Sequence, residues 1–234
     1  MDLAHRHAPD PGMTHGRLLV PLYVHPAVDP AAWQALTRVP SRLYGVVLNV
    51  ADGPGATRDP AFAAAAGALR AAGIRVLGYL DTAYGTRPHQ TVLTELRHHV
   101  SWYGTDGVFL DQASAEAGLL PYYRVLGDEA RDHGVGTVAL NPGMHPDSGY
   151  ASIADLLVTF EGNWQTYLTS AAPFWTAAHP SARFCHLIHG VPDGLCDLAA
   201  RTARIRRAGV HCAVPGEGAN PWAALPPAVR RGTT

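Results

Sequence analysis

The sequence predicts one α/β domain, a single small (β/α)8 TIM barrel with some degenerate helices. Three observations carry this expectation. Eight short, almost wholly apolar runs recur along the 234 residues, separated by stretches of helical character. Nearly every run ends in a polar or aromatic residue, whereas the opposite ends carry turn residues such as Arg17, Arg75 and Gly136. No glycine-rich phosphate fingerprint follows the first run, which argues against an open doubly wound sheet. Continuously apolar runs are what parallel strands need when helices cover one face and a core fills the other. Strand–helix alternation repeated eight times then closes into a barrel.

The runs are residues 18–24 (LLVPLYV), 44–50 (YGVVLNV), 76–80 (VLGYL), 107–110 (GVFL), 137–140 (TVAL), 156–160 (LLVTF), 184–188 (FCHLI) and 210–214 (VHCAV). After the second, Asp59 is an N-cap with Pro60 in the first turn, and Gly73 ends the Ala-rich helix. Val92, Leu96, Val100 and Tyr103 form a helical stripe before Gly104, and Leu195, Leu198, Thr202 and Ile205 form another before Gly209. Residues 116–134 make a third helix, with Pro121 near its start. Connections after strands one, five and six read as short or irregular. The chain is short for a fold of about 250 residues, so a missing or single-turn helix is expected after strand five, near 150–154. Residues 1–16 read as a polar tail and 17–234 as the barrel domain.

Composition narrows the function. Net charge is −1, with 47% hydrophobic residues, which supports a sizeable core and leaves no basic footprint for nucleic acid or anionic lipid. No stretch reaches the roughly 18–20 apolar residues of a membrane span. All eighteen basic residues are Arg, so lysine Schiff-base or lysine-base chemistry has no residue to use. Cys185, Cys196 and Cys212 lack metal-type spacing and read as buried thiols, with a Cys185–Cys212 bridge open if their strands are neighbours. The N-terminal segment lacks the apolar core of a secretory signal. That reads as a cytoplasmic chain, or as a secreted one whose signal has been removed. No cofactor and no metal site are expected.

In such a barrel, function is built at the C-terminal ends of the strands. His25, Asn163 and Glu217 lie there together with eleven candidate site residues: Tyr23, Asn49, Tyr79, Asp81, Tyr84, Asp111, Gln112, Asn141, Glu161, His189 and Trp222. Asp111 and Glu161 are the catalytic candidates, because each ends a strongly apolar strand, where an unused carboxylate would cost stability. Paired carboxylates across a cleft are what glycoside hydrolysis requires; the plainer reading is that both cap loops or bind Arg. The other nine are candidate substrate-binding residues, with aromatics suited to sugar faces. Strand alternation puts Asp111 with Phe109 on one face, and Glu161 with Thr159 and Leu157. His186 and His189 differ in parity and cannot share the pocket. His98 and His99, mid-helix, are expected at the surface.

The pieces VPLYVHP (20–26), VVLNVADGPG (46–55), VLGYLDTAYGTR (76–87), WYGTDGVFLDQ (102–112), ALNPGMHP (139–146), ADLLVTFEG (ending at Gly162), HLIHGVP (186–192) and NPWAALP (220–226) resemble, in order, the spherulin-4-like family. The resemblance implies a (β/α)8 barrel that cleaves galactosamine-containing polysaccharides without a metal, as endo-α-1,4-polygalactosaminidases do. It aligns the family's Asp-Glu pair after strand four with Asp111 and Gln112, and its Glu after strand six with Glu161. Gln112 departs from the pattern, since an amide cannot transfer the catalytic proton. It is expected to position the sugar, with Asp81 as a partly compensating carboxylate. Two other readings stand beside the glycosidase: a relative acting on a small glycoside or biosynthetic intermediate inside the cell, and a carbohydrate-binding barrel without turnover. In each the partner is a carbohydrate or small molecule.

Overall fold

The computed structural model describes residues 16–231. The expected tail therefore lies outside the described residues except for Gly16. The eight strands are β1 (Arg17–Pro21), β2 (Leu43–Leu48), β3 (Val76–Asp81), β4 (Gly107–Asp111), β5 (Thr137–Leu140), β6 (Leu156–Asn163), β7 (Phe184–His189) and β8 (Val210–Ala213). All pairs are parallel and follow chain order, and β8 pairs with β1 to close the barrel. The helices are α1 (Pro30–Thr37), α2 (Pro60–Ala71), α3 (His89–His98), α4 (Leu120–Asp132), α5 (Trp164–Thr169), α6 (Cys196–Ile205) and α7 (Pro227–Arg230). None of the described helices is long and apolar enough to cross a membrane.

Local chemistry explains the helix limits. Asp59 caps α2 by accepting from Ala61 N and Phe62 N, and Gly73 turns the chain at φ +74°. Pro121 lies in the first turn of α4, where a missing N–H costs nothing. The expected reduction after β5 is a 3-10 turn, Ser148–Ser152. The connection after β1, expected to be irregular, instead holds the regular α1, started by Asp29 accepting from Ala32 N and by Pro30. The most reduced helix after a strand is α7, four residues following β8.

Two side-chain expectations are overturned. His99 is 1% exposed, not a surface residue. The chain widens into a π-helical turn over His99–Tyr103, and His99 Nε2 bonds Tyr79 O at 2.9 Å. Burial lowers its pKa to about 4, so the ring is neutral at physiological pH. In α6 the buried face is Cys196, Ala199 and Ala203, while Leu198 and Ile205 of the apolar stripe face outward. Small residues let this helix approach β7 and β8 closely. The three cysteines are free and buried.

The barrel interior is filled by Leu19, Val47, Leu77, Phe109, Ala139, Leu156, Val158, Cys185, Leu187, Val210 and Cys212. Residues of opposite parity, such as Val108, Leu110, Val138 and Leu157, pack outward against the helices. This overturns the alternation expected for β6, where Leu157 and Glu161 were to share a face. The pairing of β6 with β7 slips between Val158 and Phe160, leaving Thr159 as an extra residue. Val158 points inward opposite Cys185, Phe160 outward opposite His186, and Glu161 inward opposite Leu187. A β-bulge of this kind re-aims every later side chain. Without it, Glu161 would face the helices.

Candidate active site

Parity and the β6 bulge bring the strand-end residues together at one mouth. Asp111, ending β4, accepts from Tyr79 Oη at 2.7 Å through Oδ2 and from Asn141 Nδ2 at 2.6 Å through Oδ1. The same Asn141 nitrogen donates to Glu161 Oε2 at 2.5 Å. Two carboxylates therefore share one amide, and their nearest oxygens are at most about 5 Å apart. Asn141 Oδ1 accepts from Gly143 N at 3.0 Å, which orients the NH2 toward the acids. Trp222 Nε1 donates to Glu161 Oε1 at 3.3 Å.

These contacts push the two acids apart in proton affinity. Burial, then the neighbouring Asp111 charge, raises Glu161 to about 7, against the hydrogen bonds from Asn141 and Trp222. Burial also raises Asp111, but Tyr79, the Gln112 backbone and Asn141 all stabilise its charged form. A single proton shared by the pair belongs on Glu161. Burial and the adjacent Asp111 raise the Tyr79 phenol far above its ordinary range, so it stays a donor.

Beside the pair opens a cleft of about 510 Å³ lined by Tyr23, Asn49, Asp52, Tyr79, Glu161, His189 and the segment Gly218–Trp222. Tyr23 meets Tyr79 edge-on at 6.0 Å, and His189 meets Trp222 edge-on at 6.1 Å. The 218–222 wall is pinned to β1, with Tyr23 N donating to Trp222 O and Asn220 Nδ2 donating to Tyr23 O. A smaller cavity of about 200 Å³ adjoins it over the β1 and β2 ends, sharing Tyr23, Asn49 and Asp52. Among the described residues, no Arg lines either space.

Of the sequence candidates, Asp111, Glu161, Asn141, Tyr79 and Trp222 form one hydrogen-bonded group, and Tyr23, Asn49 and His189 line the cleft. Asp81, Tyr84 and Gln112 line neither cavity. Asp81 Oδ1 accepts from Ala83 N, Tyr84 is 59% exposed, and Gln112 is exposed with φ +46°. The Gln112 carbonyl accepts from Tyr84 N and Thr82 Oγ1, so its backbone braces the β3 loop. Sequence reading missed Asp52, Asn220, the brace residue Thr82, and Tyr123, whose hydroxyl accepts from Ser114 N and bonds Thr82 Oγ1. The Asp52–Gly53 turn after a strand end was an available signal; for Asn220, far along the last loop, only the fold provides one.

An eight-stranded parallel barrel with an amide-bridged acid pair at the C-terminal mouth defines a TIM-barrel protein built to act through its strand-end loops. The chain belongs to the spherulation-specific family 4, whose profile it matches over residues 17–228. It is 33% identical over 191 residues to spherulin-4 of Physarum polycephalum, covering 76% of this chain and 56% of that protein. The chain thus spans little more than half the length of that curated relative. The crystal structure of Aspergillus clavatus Sph3 in complex with GalNAc superposes with a TM-score of 0.80 at 26% identity, covering 94% of this chain and 98% of that one. A Rhizomucor miehei chitinase shares the fold alone, at TM-score 0.50 and 11% identity over 88% of this chain and 98% of the other.

Proposed function

We propose that this protein is a glycoside hydrolase acting on galactosamine-containing oligo- or polysaccharides, with Asp111 and Glu161 as its catalytic pair. The observation that carries the reading is the Asn141 bridge, which holds two acids of unlike proton affinity at one mouth. Glu161, protonated near neutral pH, donates to the leaving oxygen while the Asp111 carboxylate attacks the anomeric carbon. Glu161, then ionised, takes a proton from the water that releases the sugar from Asp111. Oxygens within about 5 Å suit this double displacement, for which about 5–5.5 Å separates the carboxyl groups, against ~6.5–9.5 Å for inverting pairs. The likeness to Sph3, solved with GalNAc, supports an amino-sugar substrate, and Tyr23, Asn49, His189 and Trp222 would contact it.

Gln112 favours a second reading, a barrel that binds the same sugars without turnover, since it stands where the family has a Glu. The Gln112 side chain is exposed and the Asn141 bridge holds the Asp111–Glu161 pair without it, which favours the first reading. The test is reducing-end release from α-1,4-linked galactosamine oligomers, with the first-formed anomer read by NMR. Wild type should cleave with retention. A wild type that binds but does not cleave, with cleavage gained by Gln112→Glu, would establish the binding barrel instead.

A further inference from the structure

The amino-sugar reading leaves unexplained the wall between the two cavities. Asp52 stands on that wall and lines both spaces. Its backbone is left-handed, at φ +50°, a conformation uncommon for residues other than glycine. The turn is held from beneath: Asn49 Oδ1 accepts from Gly53 N at 3.2 Å, and Val50 N donates to Gly53 O at 3.0 Å. The Asp52 side chain is exposed and makes no hydrogen bond or ion pair with any described residue. A carboxylate displayed in this way, with His25 and His189 the basic side chains among the described residues that line the two spaces, is open to a cation brought by the ligand. The smaller cavity shares Tyr23, Asn49 and Asp52 with the cleft, so the two spaces adjoin beside the acid pair.

Resting on the amino-sugar reading above, we propose that the two cavities form one cleft for at least two sugar units. In it Asp52 is the specificity-determining residue, binding the free ammonium group of the unit next to the one held at Glu161. The ligand class is then a cationic oligomer of unacetylated hexosamine, preferred over its N-acetylated counterpart. Tyr23 forms the shared floor and His25 with Phe62 the far wall, their rings edge-on at 5.0 Å.

The test is calorimetric binding to Glu161→Gln, which cannot turn over, and to Glu161→Gln/Asp52→Asn. The probes are the α-1,4-linked galactosamine tetramer and the same tetramer fully N-acetylated. Asn adopts the left-handed backbone readily, so the variant keeps the turn. The preference for the free-amine tetramer should fall about two- to fivefold in the double variant, the scale of one half-exposed ion pair. That difference should fade between about 20 mM and about 300 mM salt. Equal preference in both proteins overturns the inference, as does failure of the free-amine tetramer to bind Glu161→Gln. Cleavage separates this from the hydrolase reading. A cleaving wild type with an unchanged preference in the double variant overturns Asp52 alone, while an Asp52 effect without cleavage overturns hydrolysis alone.

Discussion

At the scale of single residues, the site depends on Asn141 more than its chemistry suggests. One amide donates to both acids, favouring the charged form of each. Removing it in Asn141→Ala should raise both pKa values, shift both limbs of the pH–kcat profile upward, and lower kcat by about 10- to 100-fold. An unshifted profile would show that the bridge does not tune the pair. In wild type the alkaline limb should lie near 7, where Glu161 loses its proton. Glu161→Gln should cut turnover by about 100- to 10,000-fold. The same change should also stabilise the fold at high pH. Between its ordinary 4.5 and about 7, the folded chain holds a proton that the unfolded chain releases. Stability therefore falls as pH rises through that window. Melting curves should show Glu161→Gln more stable than wild type at pH 8, by roughly 3 kcal/mol, with the advantage vanishing toward the acid end of the window.

At the scale of elements, two departures from regularity build the mouth. The bulge at Thr159 turns Glu161 inward, and the π-helical turn after α3 seats His99 against β3. The second depends on Gly78, where an added Cβ would lie 2.5 Å from His99 Cγ. Gly78→Ala must displace the imidazole or the strand, and is expected to cost about 1–3 kcal/mol in a chemical denaturation series. Because Tyr79, next along β3, donates to Asp111, the same variant should lose activity before it loses its fold. Neither irregularity has a sequence signature. A one-residue insertion leaves the apolar run of β6 looking continuous, and a π turn keeps the apolar spacing of the helix it extends. The sequence therefore places Glu161 at the end of β6 but assigns its face by the wrong parity.

At the scale of the whole molecule, the barrel has unequal seams. β3 and β4 pair over five positions, whereas β5 with β6 and β1 with β8 each pair over two. A 3-10 turn, not a helix, follows β5. Backbone amides of β5 and the start of β6 should therefore exchange with solvent faster than those of β3 and β4 under native conditions, since local opening follows packing and pairing. Uniform protection around the ring would contradict this. The sequence by itself determined the eight-fold alternation, the cap and stop of α2, the reduced connection after β5 and the acids at the ends of β4 and β6. Each is written in local periodicity or in residues whose backbone or capping chemistry acts within a few positions. Only the tertiary structure decided that Glu161 faces inward, that His99 is buried, that α6 turns its small residues to the barrel, and that Asn141 joins the two acids while Asp52 lines both cavities. Those outcomes depend on which strand register and which helix approach fill the interior, and that is settled by packing between segments far apart in the chain.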